Sequence, residues 1–199
     1  MLNVSPSPLD DRELFEDETF TELDLAAQVI AGKEFVRCTF RNLKLGATRW
    51  PATIFEDCVF DDCDLARMVP TQMRLRGVEF RRSRLMGIDW TDVAKNPELR
   101  FVDCNVRYAS FVGTNLRKTE FLRCALNESN FASADLCAAT FSECDLTGAT
   151  FTACDLSKAD LSGARGLFLD PAKNRVKGLR VPLELAVLLA ESAGMIVAR

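Results

Sequence analysis

The chain has 199 residues, a length that allows one domain or two, and its formal charge of −4 with a pI near 5.1 argues against a nucleic-acid binder held by phosphate contacts. No apolar run approaches the ~18–20 residues that span a bilayer, and Met1 leads into polar Asn3 and Ser5 rather than into a signal peptide. A cytoplasmic, bacterial-type protein without membrane contact is therefore expected.

Residues 1–14, with Pro6 and Pro8, read as a leader that is loose up to about Leu9. From Asp10 to Asp24 eight acids (Asp10, Asp11, Glu13, Glu16, Asp17, Glu18, Glu22, Asp24) face Arg12 alone, which reads as a solvated, charged end that keeps molecules from stacking edge to edge. From Phe15 a large apolar residue recurs at every fifth position as far as Trp90, with Pro70 the exception. The period is neither the 3.6 of a helix nor the 2 of a strand, so it is an internal repeat. Between Trp90 and Phe101 the spacing is eleven, and the old phase would place Lys95 and Arg100 inside, so residues 91–100 interrupt the repeat. The period resumes at Phe101 and runs through Phe111, Phe121, Phe131, Phe141 and Phe151 to Leu161, with Val106, Leu116, Leu126, Leu136, Leu146 and Leu156 between them. Two residues before most of these positions stands a compact side chain, such as Cys104, Ala109, Thr114 or Thr119, so each pentad points one large and one small residue inward. That pattern predicts a thin solenoid. Residues 166–178 read as a turn-rich linker in which Asp170-Pro171 opens one helical turn. Pro182 opens a short helix rich in leucine and ending before Gly194, and residues 195–198 read as a strand.

Seven of the eight cysteines (Cys38, Cys58, Cys63, Cys104, Cys124, Cys144, Cys154) take the small inward position, where a thiol serves as a compact hydrophobe; only Cys137 faces outward. Reduced thiols are expected in place of a disulfide framework.

The units Ala134-Asp135-Leu136, Cys144-Asp145-Leu146, Cys154-Asp155-Leu156 and Ala159-Asp160-Leu161 resemble the A-(D/N)-L-x-x signature of the pentapeptide-repeat family. The resemblance implies an all-β fold, a right-handed quadrilateral β-helix with four pentads per coil, so that residues twenty apart stack. It would occupy 15–166, interrupted at 91–100, with 167–199 as linker, capping helix and strand for dimerisation. Sorting by twenties gives columns Phe15/Phe35/Phe55/Leu75, Phe20/Phe40/Phe60/Phe80, Leu25/Leu45/Leu65/Leu85 and Ile30/Trp50/Pro70/Trp90. The fourth is irregular and should bulge, since proline cannot donate to a ladder, and 91–100 is expected as a loop or broken pentad projecting from it. The same sorting places Arg41, Asp61 and Arg81 in one column, Asp62 and Arg82 in another, Glu56 and Arg76 in a third and Asp103, Arg123 and Glu143 in a fourth, so that neighbouring coils should present opposite charges.

The chain has no histidine, no C-x₂-C pair, no G-x-G-x-x-G and no phosphate-loop lysine, so neither an enzyme nor a cofactor or metal site is expected. Asp135 and Asp155, with Asn115 below them, either bond turn amides locally or form an acidic stripe. The tail 183–198 and the segment Met86-Gly-Ile-Asp-Trp-Thr91 resemble Qnr-type, topoisomerase-protecting members of the family. That resemblance implies a homodimer joined through the C-terminus that binds DNA gyrase or topoisomerase IV in place of duplex DNA and protects it from quinolones or other gyrase poisons. Candidate partner-binding residues are Asp135, Asp145, Asp155, Asp160, Asp92, Lys95, Glu98 and Arg100; candidate dimer residues are Leu185, Leu188, Leu189, Met195, Ile196 and Val197. Direct nucleic-acid binding is not expected. The other function considered is a structural or adaptor solenoid binding a different protein.

Overall fold

The structure is a computed structural model that describes Leu9 and residues 12–198; of the leader, residues 1–8, Asp10 and Asp11 lie outside the described residues. Most pentads turn because the residue two positions beyond the inward side chain is left-handed: φ is 53° at Asp17, 56° at Glu22, 59° at Ala27 and 63° at Gly32. Four such corners close one coil, and parallel bridges at a register of twenty stack the coils into a right-handed solenoid.

The four faces are not alike. Face one carries a parallel sheet of β1 (Leu14–Glu16), β3 (Glu34–Val36), β5 (Ile54–Glu56) and β7 (Arg74–Arg76). Face two carries β2 (Thr19–Thr21), β4 (Thr39–Arg41), β6 (Val59–Asp61), β8 (Val78–Arg81), β9 (Leu99–Val102), β10 (Glu120–Leu122) and β11 (Thr140–Ser142). On face three the pentads are tight turns: the Met68 N–H donates to the Leu65 carbonyl (3.0 Å) and Arg67 between them has φ 57°, the type II arrangement.

Inward side chains stack ring on ring. Phe35 lies 5.0 Å from both Phe15 and Phe55, and Phe40 lies 5.1 Å from Phe20 and 4.5 Å from Phe60, all near parallel, while the two columns meet edge-on. In the first half phenylalanine therefore fills two adjacent faces. In the second half it fills opposite faces, Phe101–Phe121–Phe141 on face two and Phe111–Phe131–Phe151 on face four. Face one then carries leucine and becomes a tight-turn face: the Thr119 N–H donates to Leu116 and the Ala139 N–H to Leu136. Its sheet ends at β7 and does not resume.

The changeover falls at the interruption. Phe80 stacks on Phe101, so this coil has twenty-one residues, and residues 93–98 stand in for the face-one pentad between Leu75 and Leu116. The break is therefore on face one and not on the irregular fourth face, and it is a distorted pentad rather than a projection. Pro97 and Leu99 are buried, and four main-chain bonds hold the segment to the coil before it: Gln72 N–H to Asp92, Ala94 N–H to Met73, Glu98 N–H to Leu75 and Val78 N–H to Glu98. The fourth face is interrupted in its own way. Its bridges run Val29–Arg49–Val69 and resume only at Asp89–Ser110, because Pro70 has no N–H to donate upward.

The C-terminal part departs from the sequence reading in two places. Residues 166–181 are not a linker but one more coil, since Asp145 bridges Arg165, Asp155 bridges Arg175 and Asp160 bridges Arg180. Face two thus makes eight coil-to-coil steps from Phe20 to Val181, a rod of ~38 Å. Helix α1 (Leu183–Ser192) closes that end with Leu185 buried and Leu189 packed on the core. Residues 195–198 form no strand. At the opposite end Leu9 is buried against the first coil.

Candidate functional site

The four aspartates on the signature units are each engaged twice. Their Oδ1 atoms accept the N–H two residues on, from Cys137, Thr147, Ser157 and Ser162 at 2.9–3.1 Å, which pins the pentad turn. Their other oxygens meet arginines: Asp135 Oδ2 meets Arg117 at 3.3 Å, Asp145 meets Arg165 at 2.9 Å, Asp155 meets Arg175 at 3.4 Å and Asp160 meets Arg180 at 2.8 Å. Burial would raise the Asp145 carboxyl, but bonds from the Thr147 hydroxyl and N–H and from Arg165 outweigh it and hold the group far below the usual carboxylate range. Bonds from Ser157 and Ser162 lower Asp155 and Asp160 in the same sense. Asp135 and Asp155 share face one, whereas Asp145 and Asp160 lie on faces three and two. The geometry thus favours the local reading: these acids secure turns and link coils, and they form no continuous stripe.

Most pairs expected from the twenty-residue sorting are present, but Arg81 turns to Glu79 while Arg82 meets Asp61, and Glu143 makes no ion pair among the described residues. Arg41 meets Asp61 at 3.7 Å, Arg82 meets Asp62 at 3.2 Å, Arg76 meets Glu56 at 3.4 Å and Arg123 meets Asp103 at 2.6 Å. Asp61 is the buried carboxylate among these, and the arginines lie in solvent, where screening leaves such pairs little net stabilisation.

Asp92, Lys95, Glu98 and Arg100 gather around the distorted pentad. Asp92 accepts from the Gln72 amide, and Arg100 is clamped between Glu79 (3.0 Å) and Glu120 (2.8 Å). Lys95 and Glu98 are exposed. Beside them lies a cavity of about 470 Å³ lined by residues 93–97 and 113–115 with Gln72, Trp90 and Thr91. Among the described residues no group of His, Cys, Asp and Glu is placed to hold a metal ion.

Charge is graded along the rod. Residues 1–65 contain fourteen acids and six bases, whereas residues 66–130 contain seven acids and twelve bases. Many central arginines are paired, but the first coils carry Glu13, Glu16, Glu22 and Glu34 without an ion pair among the described residues. At the other end α1 and its extension leave Leu183, Leu188, Met195 and Ile196 exposed. Of the six dimer candidates, Leu185 is therefore committed to the solenoid's own end, Leu189 is half-buried there, and Leu188, Met195 and Ile196 face outward, with Val197 half-buried.

Residues 93–151 match the family described as Pentapeptide repeat region. No curated protein matches the chain in sequence. Among solved structures, a trypsin-treated form of QnrB1, a plasmid-mediated fluoroquinolone resistance protein, is similar with a TM-score of 0.60 at 21% identity, covering 93% of this chain and 97% of that one. A second trypsin-treated form covers the same shares at 21% identity with a TM-score of 0.52. HetL, a pentapeptide-repeat protein involved in heterocyst differentiation regulation in the cyanobacterium Nostoc, aligns over 85% of this chain and 90% of its own at 19% identity, with a TM-score of 0.34. At these identities the likeness to QnrB1 is one of fold.

Proposed function

We propose that this right-handed pentapeptide-repeat solenoid is a non-enzymatic binding rod that engages DNA gyrase or topoisomerase IV and modulates the enzyme or protects it from quinolones and other gyrase poisons. The observation that carries the reading is the fold shared with QnrB1 along nearly the whole of both chains. The charge gradient narrows how such a rod would imitate DNA. Duplex DNA bears one charge per ~1.7 Å along its whole length. Here the central coils are net basic, so the DNA-like part is the N-terminal end with Glu13, Glu16, Glu22 and Glu34.

A homodimer completes the reading. Leu183, Leu188, Met195 and Ile196 make a patch that a two-fold contact would hide on both copies, with residues 195–197 pairing as strands across the axis. Two rods joined end to end in this way place their acidic ends outward, about 80 Å apart. Residues 92–100 on face one lie midway along each rod and are the second candidate contact.

The test is a gyrase supercoiling assay with ciprofloxacin, with and without the purified protein. The expected result is recovery of supercoiling as protein is added, weakened by charge reversal of Glu13, Glu16, Glu22 and Glu34 together. Absence of both recovery and salt-sensitive capture of gyrase or topoisomerase IV subunits would overturn the proposal.

A further inference from the structure

The core of the first coil is floored by two side chains. Leu9 packs against it, and the Arg12 guanidinium lies 4.5 Å from the centre of the Phe15 ring. Around that floor β1 and β2 are the outermost strands of their sheets, paired only with β3 and β4. The second coil shows which main-chain groups this leaves unmet. Its Glu34 and Thr39 N–H groups donate to the Glu13 (2.7 Å) and Glu18 (2.8 Å) carbonyls of the coil before, and its Val36 and Arg41 carbonyls accept from Asp17 (3.0 Å) and Glu22 (3.4 Å).

The equivalent groups twenty residues earlier are the N–H of Leu14 and Thr19 and the carbonyls of Glu16 and Thr21. They face away from the rod, and among the described residues they have no main-chain partner. Donors and acceptors thus alternate along the edge, which is what an incoming strand pairs with. Neither β1 nor β2 contains lysine or proline, the residues that commonly blunt an exposed edge.

Charge selects what the incoming strand can be. Within the rod an outward acid is repeatedly met by a base one coil on: Asp17 by Arg37 (2.7 Å), Asp24 by Lys44 (3.4 Å) and Asp103 by Arg123 (2.6 Å). Glu13, Glu16 and Glu22 make no ion pair among the described residues, and all three are exposed at the edge. Leu14, 48% exposed beside Glu16 on β1, adds apolar surface that the stem of a long basic side chain can cover. A second copy would set the same acids against one another, whereas a basic strand would extend the pairing already used between coils. We propose that the open edge of β1 is a docking site for an extended basic segment of a partner protein. About five residues of it would add to the sheet beside Leu14–Glu16, with lysine or arginine at alternate, outward places. The assignment is independent of the topoisomerase reading and stands or falls on the edge itself.

The test is nitrogen-15 NMR of the full chain, titrated into the millimolar range with a short synthetic peptide of alternating lysine and valine, blocked at both termini. Expected is a saturable shift confined to the first coil, with hydrogen exchange of the Leu14 amide slowed and that of the Thr140 amide, inside the rod, unchanged. The same peptide N-methylated at its valines keeps its charge but cannot donate to the Glu16 carbonyl, and should bind roughly tenfold more weakly. Glu13→Gln together with Glu16→Gln should weaken binding roughly fivefold, and since both side chains are exposed the variant keeps the fold. Equal affinity for the methylated peptide would leave charge alone as the attraction, and shifts spread over the acids of every coil would remove the site; either result overturns the proposal. So does a Leu14 amide protected before any peptide is added, the mark of an edge already covered, by a second copy if dilution exposes it and by the chain itself if dilution does not.

Discussion

Phe121 lies in the most regular part of the rod, and truncating it to alanine tests how the solenoid is held together. The side chain is fully buried, stacked between Phe101 and Phe141 at 4.8 Å on either side and met edge-on by Phe111 (6.1 Å) and Phe131 (6.3 Å). A phenylalanine-to-alanine change in a core costs ~3–5 kcal/mol, transfer and cavity together. The backbone cannot collapse into the gap, because Phe121 is fixed in register with Phe101 below and Phe141 above. Partial relaxation is thereby blocked and the upper part of the range, about 4–5 kcal/mol, is expected, a large share of a typical ~5–15 kcal/mol stability. Urea unfolding followed by circular dichroism at 218 nm measures it. Asn127→Ala, which removes a partly exposed side chain that accepts one bond from Arg107, is the control and should cost under ~1 kcal/mol. A loss below ~1 kcal/mol for Phe121→Ala, or equal losses for the two variants, would refute the account of a core built from stacked rings.

The remaining predictions concern thiols, acid and assembly. Burial pushes the Cys58 thiol up to about 12 and the Cys63 thiol up to about 11, and Cys137 is the one cysteine that is not buried, so a thiol reagent at pH 8 should modify one site of eight in the native protein and all eight in denaturant. Asp17, Asp103, Asp145, Asp155 and Asp160 all titrate below the ordinary 3.8 when folded. The unfolded chain therefore takes up protons first, and the stabilisation present above pH ~4 is lost as the pH falls through the folded values. The urea midpoint should drop steadily from pH 5 to pH 2, and a midpoint that holds or rises would contradict the bonding described for these carboxylates. Light scattering at micromolar concentration should give twice the chain mass, and Leu188→Glu should give one chain mass with an unchanged β spectrum; a wild-type monomer ends the dimer proposal.

The five-residue period was legible because an inward position cannot change character without burying a polar group, so the pattern from Phe15 to Leu161 survives in the sequence almost without exception. The face of the interruption was not. An eleven-residue gap states that one residue is extra, but the column that loses its member is fixed only by continuing both phases, Leu75 below and Leu116 above. Residues 166–181 read as turn-forming because Gly166 and Pro171, both exposed, stand where the period calls for a large apolar residue; Leu167 and Leu169 are buried there instead, although Val176 and Val181 keep the period. With that coil recognised, the neutralised acids would also have been visible: Arg165, Arg175 and Arg180 stand twenty residues after Asp145, Asp155 and Asp160. The buried Thr114 and Thr119 hydroxyls, which find no partner among the described residues, carry no sequence signal, since both residues look like any other compact inward residue.

The register of twenty makes the rod a ruler with interchangeable graduations. Excising residues 122–141 would seat Val106 against Leu146, Phe111 against Phe151 and Leu116 against Leu156, each like against like, and would shorten the molecule by one step of ~4.8 Å without opening its core. The cost would appear on the surface, where Asp103 would lose Arg123 and face Glu143 instead. Gain or loss of whole coils thus alters reach while leaving the interior unchanged, and the outward charges alone record which coil was originally neighbour to which.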